Sequence, residues 1–265
     1  MRPTSSTRRP PEAAGGGLAP SHRAYLDRQH ALSYAIGLTL LWPVTVAWLR
    51  LVRGYRIRDL RAVRRRLLEL LEQAPGPVLV CPNHLTWIDS LLVQWALASP
   101  GRLFRSFRLF AWNVPEQSNF GSSWLLRLYC YLGKCVPIRR GGDRDEQNLV
   151  MEKLRHLLEC RELVTIYPEG GRGRNGRITI ESITYGVGRI AMTVSDCRVL
   201  CVYLRGERQE GSSVLPARGQ AFDVELELID PRPRVRKRGL RAARESSLRI
   251  GEELVRLEQR YFAGR

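Results

Sequence analysis

Val78-Leu79-Val80-Cys81-Pro82-Asn83-His84-Leu85-Thr86-Trp87-Ile88-Asp89 is the stretch that decides the fold. Its apolar start, bounded by the Pro75-Gly76-Pro77 turn, reads as a buried strand, and residues 90–98 after it read as a helix. The run from Leu163 to Tyr167 repeats the pattern and is followed by Pro168-Glu169-Gly170-Gly171-Arg172. Each run leaves polar groups just beyond a strand, where α/β folds place their chemistry.

Working outward, further strands are expected at residues 135–138, 199–204 and 221–229. Helices are expected at 59–73, 122–131, 145–160 and 183–195. Alternation of this kind predicts a single layered α/β domain with a central mixed sheet flanked by helices. The chain's 265 residues suffice for one such domain with appendages. The expected divisions are a disordered Pro-, Gly- and Ser-rich tail at 1–22, an N-terminal membrane-associating helical segment at 23–58, the α/β domain at 59–230 and a basic C-terminal helix at 231–265.

Residues 31–49, ALSYAIGLTLLWPVTVAWL, contain no charge. As a helix they would measure roughly 28 Å, close to a bilayer core. Pro43 is expected to break that helix near its middle. A spanning helix, an element dipping into one leaflet and a buried core helix all fit the composition. With Trp42 and Trp48 favouring an interface, insertion into one leaflet is preferred. Arg50, Arg53, Arg56 and Arg58 mark a cytoplasmic flank, and removing residues 1–55 is expected to release the protein from membranes.

Forty-three basic against 26 acidic residues leave a net charge of +17, nearly all of it arginine. Such a surface favours phosphate or carboxylate partners, through nucleic acid or an anionic membrane. A nucleic-acid role has no aromatic stacking platform behind it and no use for the uncharged segment. The six cysteines form no C-x-x-C pair and lie mostly in apolar stretches, so buried free thiols are expected, with neither a disulfide framework nor a metal site.

His84 is the side chain suited to base work near neutrality, and Asp89 the carboxylate that would fix its tautomer. Thr86-x-x-Asp89 is equally a helix capping box, which would account for Asp89 with no chemistry at all. Pro168 to Gly171 form a turn able to aim N–H groups at an anion, with Arg172 and Arg174 adding charge. Between the two motifs, Gly133-Lys134-Cys135-Val136-Pro137-Ile138 runs into Arg139 and Arg140, either of which could clamp a phosphate.

In this order and spacing, Asn83 to Asp89, Gly133 to Arg139, Tyr167 to Arg172 and residues 199–204 resemble the glycerolipid acyltransferase family typified by lysophosphatidate acyltransferase. That family's pattern is N-H-x4-D, G-x5-R, F-P-E-G-T-R and a hydrophobic strand. The resemblance implies a membrane-associated O-acyltransferase at the cytoplasmic face of a bacterial inner membrane. It implies acyl-CoA or acyl-ACP as co-substrate with no bound cofactor, and a lysophospholipid such as 1-acylglycerol-3-phosphate as acceptor. Anionic membrane lipid would be its partner, and nucleic acid would not. By the same resemblance His84 is the base, Asp89 its orienting partner, and Asn83, Arg139, Glu169, Gly170, Gly171 and Arg172 bind substrate. Gly171 and Gly173 replace the family's Thr and Ser, Thr184 or Tyr185 stands where a Lys is common, and the Pro before the last strand is missing. These departures leave open a different acceptor, including a non-glycerolipid one, or an acyltransferase-like protein that only binds lipid.

Overall fold

The computed structural model describes residues 17–121, 123–172, 175–233 and 239–264. Arg174, expected to charge the anion turn, and Gly173 lie outside them. The expected tail falls outside them up to residue 16; Leu18 is buried and the first helix starts at Pro20.

In chain order, α1 (Pro20–Leu32) continues through a wide-turned segment (Ser33–Leu41) into α2 (Trp42–Ala47) and a second wide turn (Trp48–Val52). There follow β1 (Arg56–Ile57), α3 (Leu60–Glu72), β2 (Val78–Pro82), α4 (Asp89–Leu97), α5 (Pro100–Arg105), β3 (Trp112–Asn113), α6 (Trp124–Leu132), α7 (Arg144–Glu159), β4 (Val164–Thr165), α8 (Tyr185–Thr193), β5 (Arg198–Gly206), β6 (Ala221–Ile229) and α9 (Gly239–Ala263).

The strands form one mixed six-stranded sheet in the order β1-β6-β5-β2-β4-β3, antiparallel only between β5 and β6. β2 lies between β5 and β4, and every residue in it is buried, as a continuous apolar run in a parallel environment requires. The period-two alternation of β2 then sorts the core. Val78 and Val80 join Leu200 and Val202 beneath α3 and α4, whereas Leu79 and Cys81 join Val199 and Cys201 against α7, α8 and α9. The expected α/β layering is the architecture found.

Three expectations change. The expected strand at 135–138 is reduced to isolated bridges, Cys135 to Asn113 and Ile138 to Glu116. Pro137 has no N–H to give a ladder, so pairing cannot run on. Next, β1 and β3 were not anticipated, because a two-residue strand carries no alternation to read. Lastly, Pro43 does not break the N-terminal helix, which runs from Pro20 to Val52. The turn ahead of it is widened, with the Trp42 N–H bonding to Gly37 five residues back. Widening moves the preceding carbonyls away from the proline ring and removes the need for its missing donor.

That long helix buries Leu26, Gln29, Ser33, Gly37, Leu38, Trp42, Thr45 and Leu49 along a stripe three or four residues apart. It therefore lies along the domain. α6 crosses it where Gly37 sits: a Cβ there would stand 2.2 Å from the Leu132 carbonyl oxygen. Gln29 and Ser33 donate to the Tyr131 carbonyl at the same crossing. Beside it, the buried Lys134 pairs with Glu162 at 2.5 Å, and Trp112 Nε1 donates to the same carboxylate at 2.9 Å. Burial lowers the Lys134 ammonium to about 8, against the opposing pull of Glu162. Cys81, Cys197 and Cys201 are buried free thiols as expected, while Cys160 is exposed.

Candidate active site

Beyond the end of β2 the chain turns sharply, and Asn83 holds the turn to the neighbouring strand. Its amide donates to the Leu204 carbonyl at 3.1 Å and accepts from the Leu204 N–H at 2.7 Å. Both halves of the buried amide are thus spent on backbone, so Asn83 stands behind the site as a clamp.

His84 follows, with Nδ1 3.0 Å from Asp89 Oδ2. The same oxygen accepts from the N–H groups of Leu85 at 2.6 Å and Thr86 at 2.7 Å, and Thr86 Oγ1 donates to Asp89 Oδ1 at 2.5 Å. Asp89, the first residue of α4, therefore both gathers the turn that leads into the helix and orients the imidazole, because its two oxygens have acceptor sites enough for both tasks; the expected capping box is not formed, since the residue ahead of the helix is Ile88 and no side chain caps it. An ionised carboxylate only accepts, so Nδ1 carries the ring proton and Nε2 is left with its lone pair. The Tyr167 ring, just past β4, lies 4.3 Å from the imidazole at a 34° tilt and confines it from the other side.

The second motif is tied to the first through backbone: the His84 N–H donates to Glu169 Oε1 at 2.9 Å. Burial raises the Glu169 carboxyl to about 7, with the His84 hydrogen bond opposing and the Asp89 charge adding to the rise. Gly170 has φ of +63°, and a Cβ there would be 2.3 Å from Thr184 Cγ2, so the turn demands glycine on both counts. Arg172 reaches the Ser213 carbonyl at 3.4 Å and lies 5.6 Å over the Trp87 ring.

His84, Trp87, Tyr167, Gly170 and Arg172 line a mostly apolar cavity of about 470 Å³. Its far wall comes from the N-terminal helix and α6: Gly37, Leu41, Trp42 and Thr45 face Leu126, Tyr129 and Cys130, with Thr45 and the Tyr129 hydroxyl 3.0 Å apart. Of the residues expected to bind substrate, Gly170 and Arg172 line the cavity on the His84 side, Asn83 and Glu169 brace that side from behind, and Gly171 and Arg139 do not line it.

Arg139, 59% exposed, lies 3.9 Å from Glu146 and is not on the cavity; Arg140, 51% exposed, borders it, with Nε 3.4 Å from Glu116 Oε2. Ile138 is bridged to Glu116 and faces the cavity, and the chain then turns, with the Gly142 N–H on the Arg139 carbonyl. The adjacent Arg-Arg pair was visible in the sequence; which arginine borders the cavity depends on that turn. Trp87 and Tyr167 were within the motifs but carried no signal of their own, and the wall from the N-terminal helix had none at all.

Among the described residues, no group of three His, Cys, Asp or Glu side chains is placed to hold a metal ion. A protein-family model described as acyltransferase matches residues 62–228. No curated protein matches the chain.

Proposed function

Since this chain belongs to the acyltransferase family, we propose that it transfers a fatty acyl group from an acyl thioester to the hydroxyl of a lysophospholipid such as 1-acylglycerol-3-phosphate. The observation that carries this reading is the His84–Asp89 contact at the mouth of an apolar cavity flanked by Arg140 and Arg172.

In this mechanism His84 Nε2 takes the proton of the acceptor hydroxyl as its oxygen attacks the thioester carbonyl. Asp89 stabilises the imidazolium that forms. The tetrahedral intermediate collapses, the carbon–sulfur bond breaks, and the imidazolium returns the proton to the leaving thiolate. The apolar cavity accommodates an acyl chain, while Arg140 and Arg172 offer bidentate donors to a phosphate-bearing headgroup. The donor is acyl-CoA or acyl carrier protein.

The lipid acceptor requires a membrane, and the Pro20–Val52 helix is long and apolar enough to cross one by length and composition. Its buried stripe along the domain favours insertion into a single leaflet, at the cytoplasmic face. A non-glycerolipid acceptor is the second reading. It is favoured by Gly171, where the family carries Thr, and by Thr184 on the cavity wall near a position where Lys is common.

The test incubates the protein with labelled acyl-CoA or acyl carrier protein and a panel of lysolipids, comparing wild type with His84→Ala. Loss of a general base costs about 10²- to 10⁴-fold, so the variant should be nearly silent. Equal turnover would remove His84 from the mechanism.

A further inference from the structure

All six cysteines are free, and the end of α6 brings two of them together. The helix stops at Leu132, and Gly133 and Lys134 turn the chain back on it. Lys134 has φ of +54°, a left-handed conformation that a side-chain-bearing residue keeps only when its surroundings hold it there. Glu162 does so by pairing with the buried ammonium. The Lys134 N–H then donates to the Tyr131 carbonyl at 3.3 Å and the Cys135 N–H to the Cys130 carbonyl at 3.0 Å. These two bonds are the left-handed close of a helix, which sets the side chain just past the turn against one in the last helical turn. Here those two side chains are Cys135 and Cys130. Gln29 fastens the turn from outside, donating to the Tyr131 and Cys135 carbonyls at 3.0 and 2.9 Å.

The two thiols share a hydrogen bond, and both line the apolar cavity. A disulfide needs α-carbons roughly 4.4–6.8 Å apart, and a backbone bond combined with direct thiol contact leaves little to move before one closes. The two sulfurs also differ in character. Their mutual hydrogen bond lowers the Cys130 thiol, whereas the same bond and burial push the Cys135 thiol well up. Cys130 is therefore the nucleophile and Cys135 the thiol that waits beside it. Cys81 and Cys201 also stand opposite each other, on β2 and β5, but both are fully buried and burial pushes their thiols well up. Cys160 is exposed and meets His156 at 3.8 Å.

We propose that Cys130 and Cys135 form a redox modification site in the cavity wall, where a hydroperoxide closes a reversible disulfide and so reshapes the cavity. The Cys130 sulfur attacks one peroxide oxygen, the O–O bond breaks, and the departing oxygen takes the Cys130 proton to leave as water or an alcohol. The Cys135 sulfur then attacks the resulting sulfenic acid, the S–O bond breaks, and the hydroxyl leaves as water with the Cys135 proton. Two thiols are oxidised and one peroxide is reduced; a dithiol reductant reverses the step by exchange. The site rests on the two cysteines alone, while its effect on turnover rests on the acyltransferase reading.

The test uses the full chain carrying Cys160→Ser, so that no exposed thiol competes. Hydrogen peroxide and linoleate hydroperoxide are titrated in parallel, followed by alkylation and tryptic digestion. Cleavage after Lys134 separates the two cysteines, so the disulfide joins residues 128–134 to residues 135–139 in one species that dithiothreitol splits. Most chains should yield it, and the peroxide that does so at the lower concentration identifies the source as water-borne or lipid-borne. Cys135→Ser should instead leave a sulfenic acid at Cys130 that dimedone traps. Phenylarsine oxide, which bridges two adjacent thiols, should bind the untreated protein and fail with either Cys130→Ser or Cys135→Ser. Acyl transfer should fall severalfold on oxidation and return with dithiothreitol, whereas Cys130→Ser, measured against its own untreated state, should not respond. Absence of the linked species at peroxide concentrations that oxidise Cys160 in the parent chain overturns the proposal, as does a linked species that leaves the turnover of an active protein unaltered. If the disulfide forms reversibly but neither form transfers an acyl group, the acyltransferase reading falls and the modification site stands.

Discussion

Asp89 serves two structures with one carboxylate, and a substitution separates them poorly. In Asp89→Asn the amide oxygen can stand where Oδ2 now meets the imidazole, Leu85 and Thr86, with the amide N–H groups turned to the Thr86 hydroxyl, but the negative charge is gone. We expect a rate loss of about 10²-fold or more because the imidazolium that forms is no longer stabilised by a carboxylate. Thermal melting should show a further loss of about 1 kcal/mol from the weaker hydrogen bonds to the Leu85 and Thr86 N–H groups. Glu169 makes a separate prediction, in pH. Its carboxyl holds a proton up to about 7 in the folded chain because burial disfavours the charge. Unfolded, it releases that proton near pH ~4.3. The folded state thus binds more protons between those values, and this group's contribution to stability falls as pH rises through that window. Glu169→Gln keeps an acceptor for the His84 N–H and cannot titrate. The drop in thermal midpoint between pH 5 and pH 7.5 should therefore be smaller in the variant, and an identical drop would show that Glu169 is not its source.

Among elements, the crossing of the N-terminal helix and α6 is the joint on which the cavity depends. Gly37 allows the approach, and any side chain there meets the Leu132 carbonyl, a backbone atom that cannot rotate aside. Gly37→Val should separate the helices and cost about 1–3 kcal/mol by overpacking, read as a lower denaturant midpoint. Because Gly37 also lines the cavity, acyl-chain preference should shift as well. The widened turns serve the same joint by carrying the helix past Pro43, so that Trp42 and Thr45 still reach the cavity. A sequence rule that proline ends a helix fails here because the hydrogen-bonding frame is wider than the rule assumes.

At the scale of the whole molecule, the N-terminal helix is part of the cavity wall and, in the function proposed, also the membrane anchor. Removing residues 1–55 takes away Gly37, Leu41, Trp42 and Thr45 from the cavity and uncovers the core residues that packed on Leu38 and Leu49. The truncated chain should therefore aggregate on size-exclusion chromatography instead of yielding a clean soluble enzyme, which revises the simple release expected from hydropathy. A monomeric, well-folded truncation would show the helix to be an appendage. The net charge of +17 adds a salt signature. Vesicle binding should weaken as ionic strength rises and the Debye length shortens, leaving the apolar component behind.

The layered α/β class, the central buried strand, the long helices and the His84–Asp89 pair were legible in the sequence, because each depends on neighbours within a few residues: an apolar run, a periodicity, a five-residue spacing. Glu169 and Gly170 were legible through their motif, though their actual work, bracing the His84 backbone and turning the chain beneath Thr184, was not. Only the tertiary structure decided that Arg140 and not Arg139 borders the cavity, since that depends on the turn after Ile138 and on Glu116, which is brought beside Arg140 from a distant part of the chain. The cavity likewise had no local signature. Its walls come from the N-terminal helix, α6 and three separate strand ends, and residues so distant in the chain become neighbours only when the core closes around them.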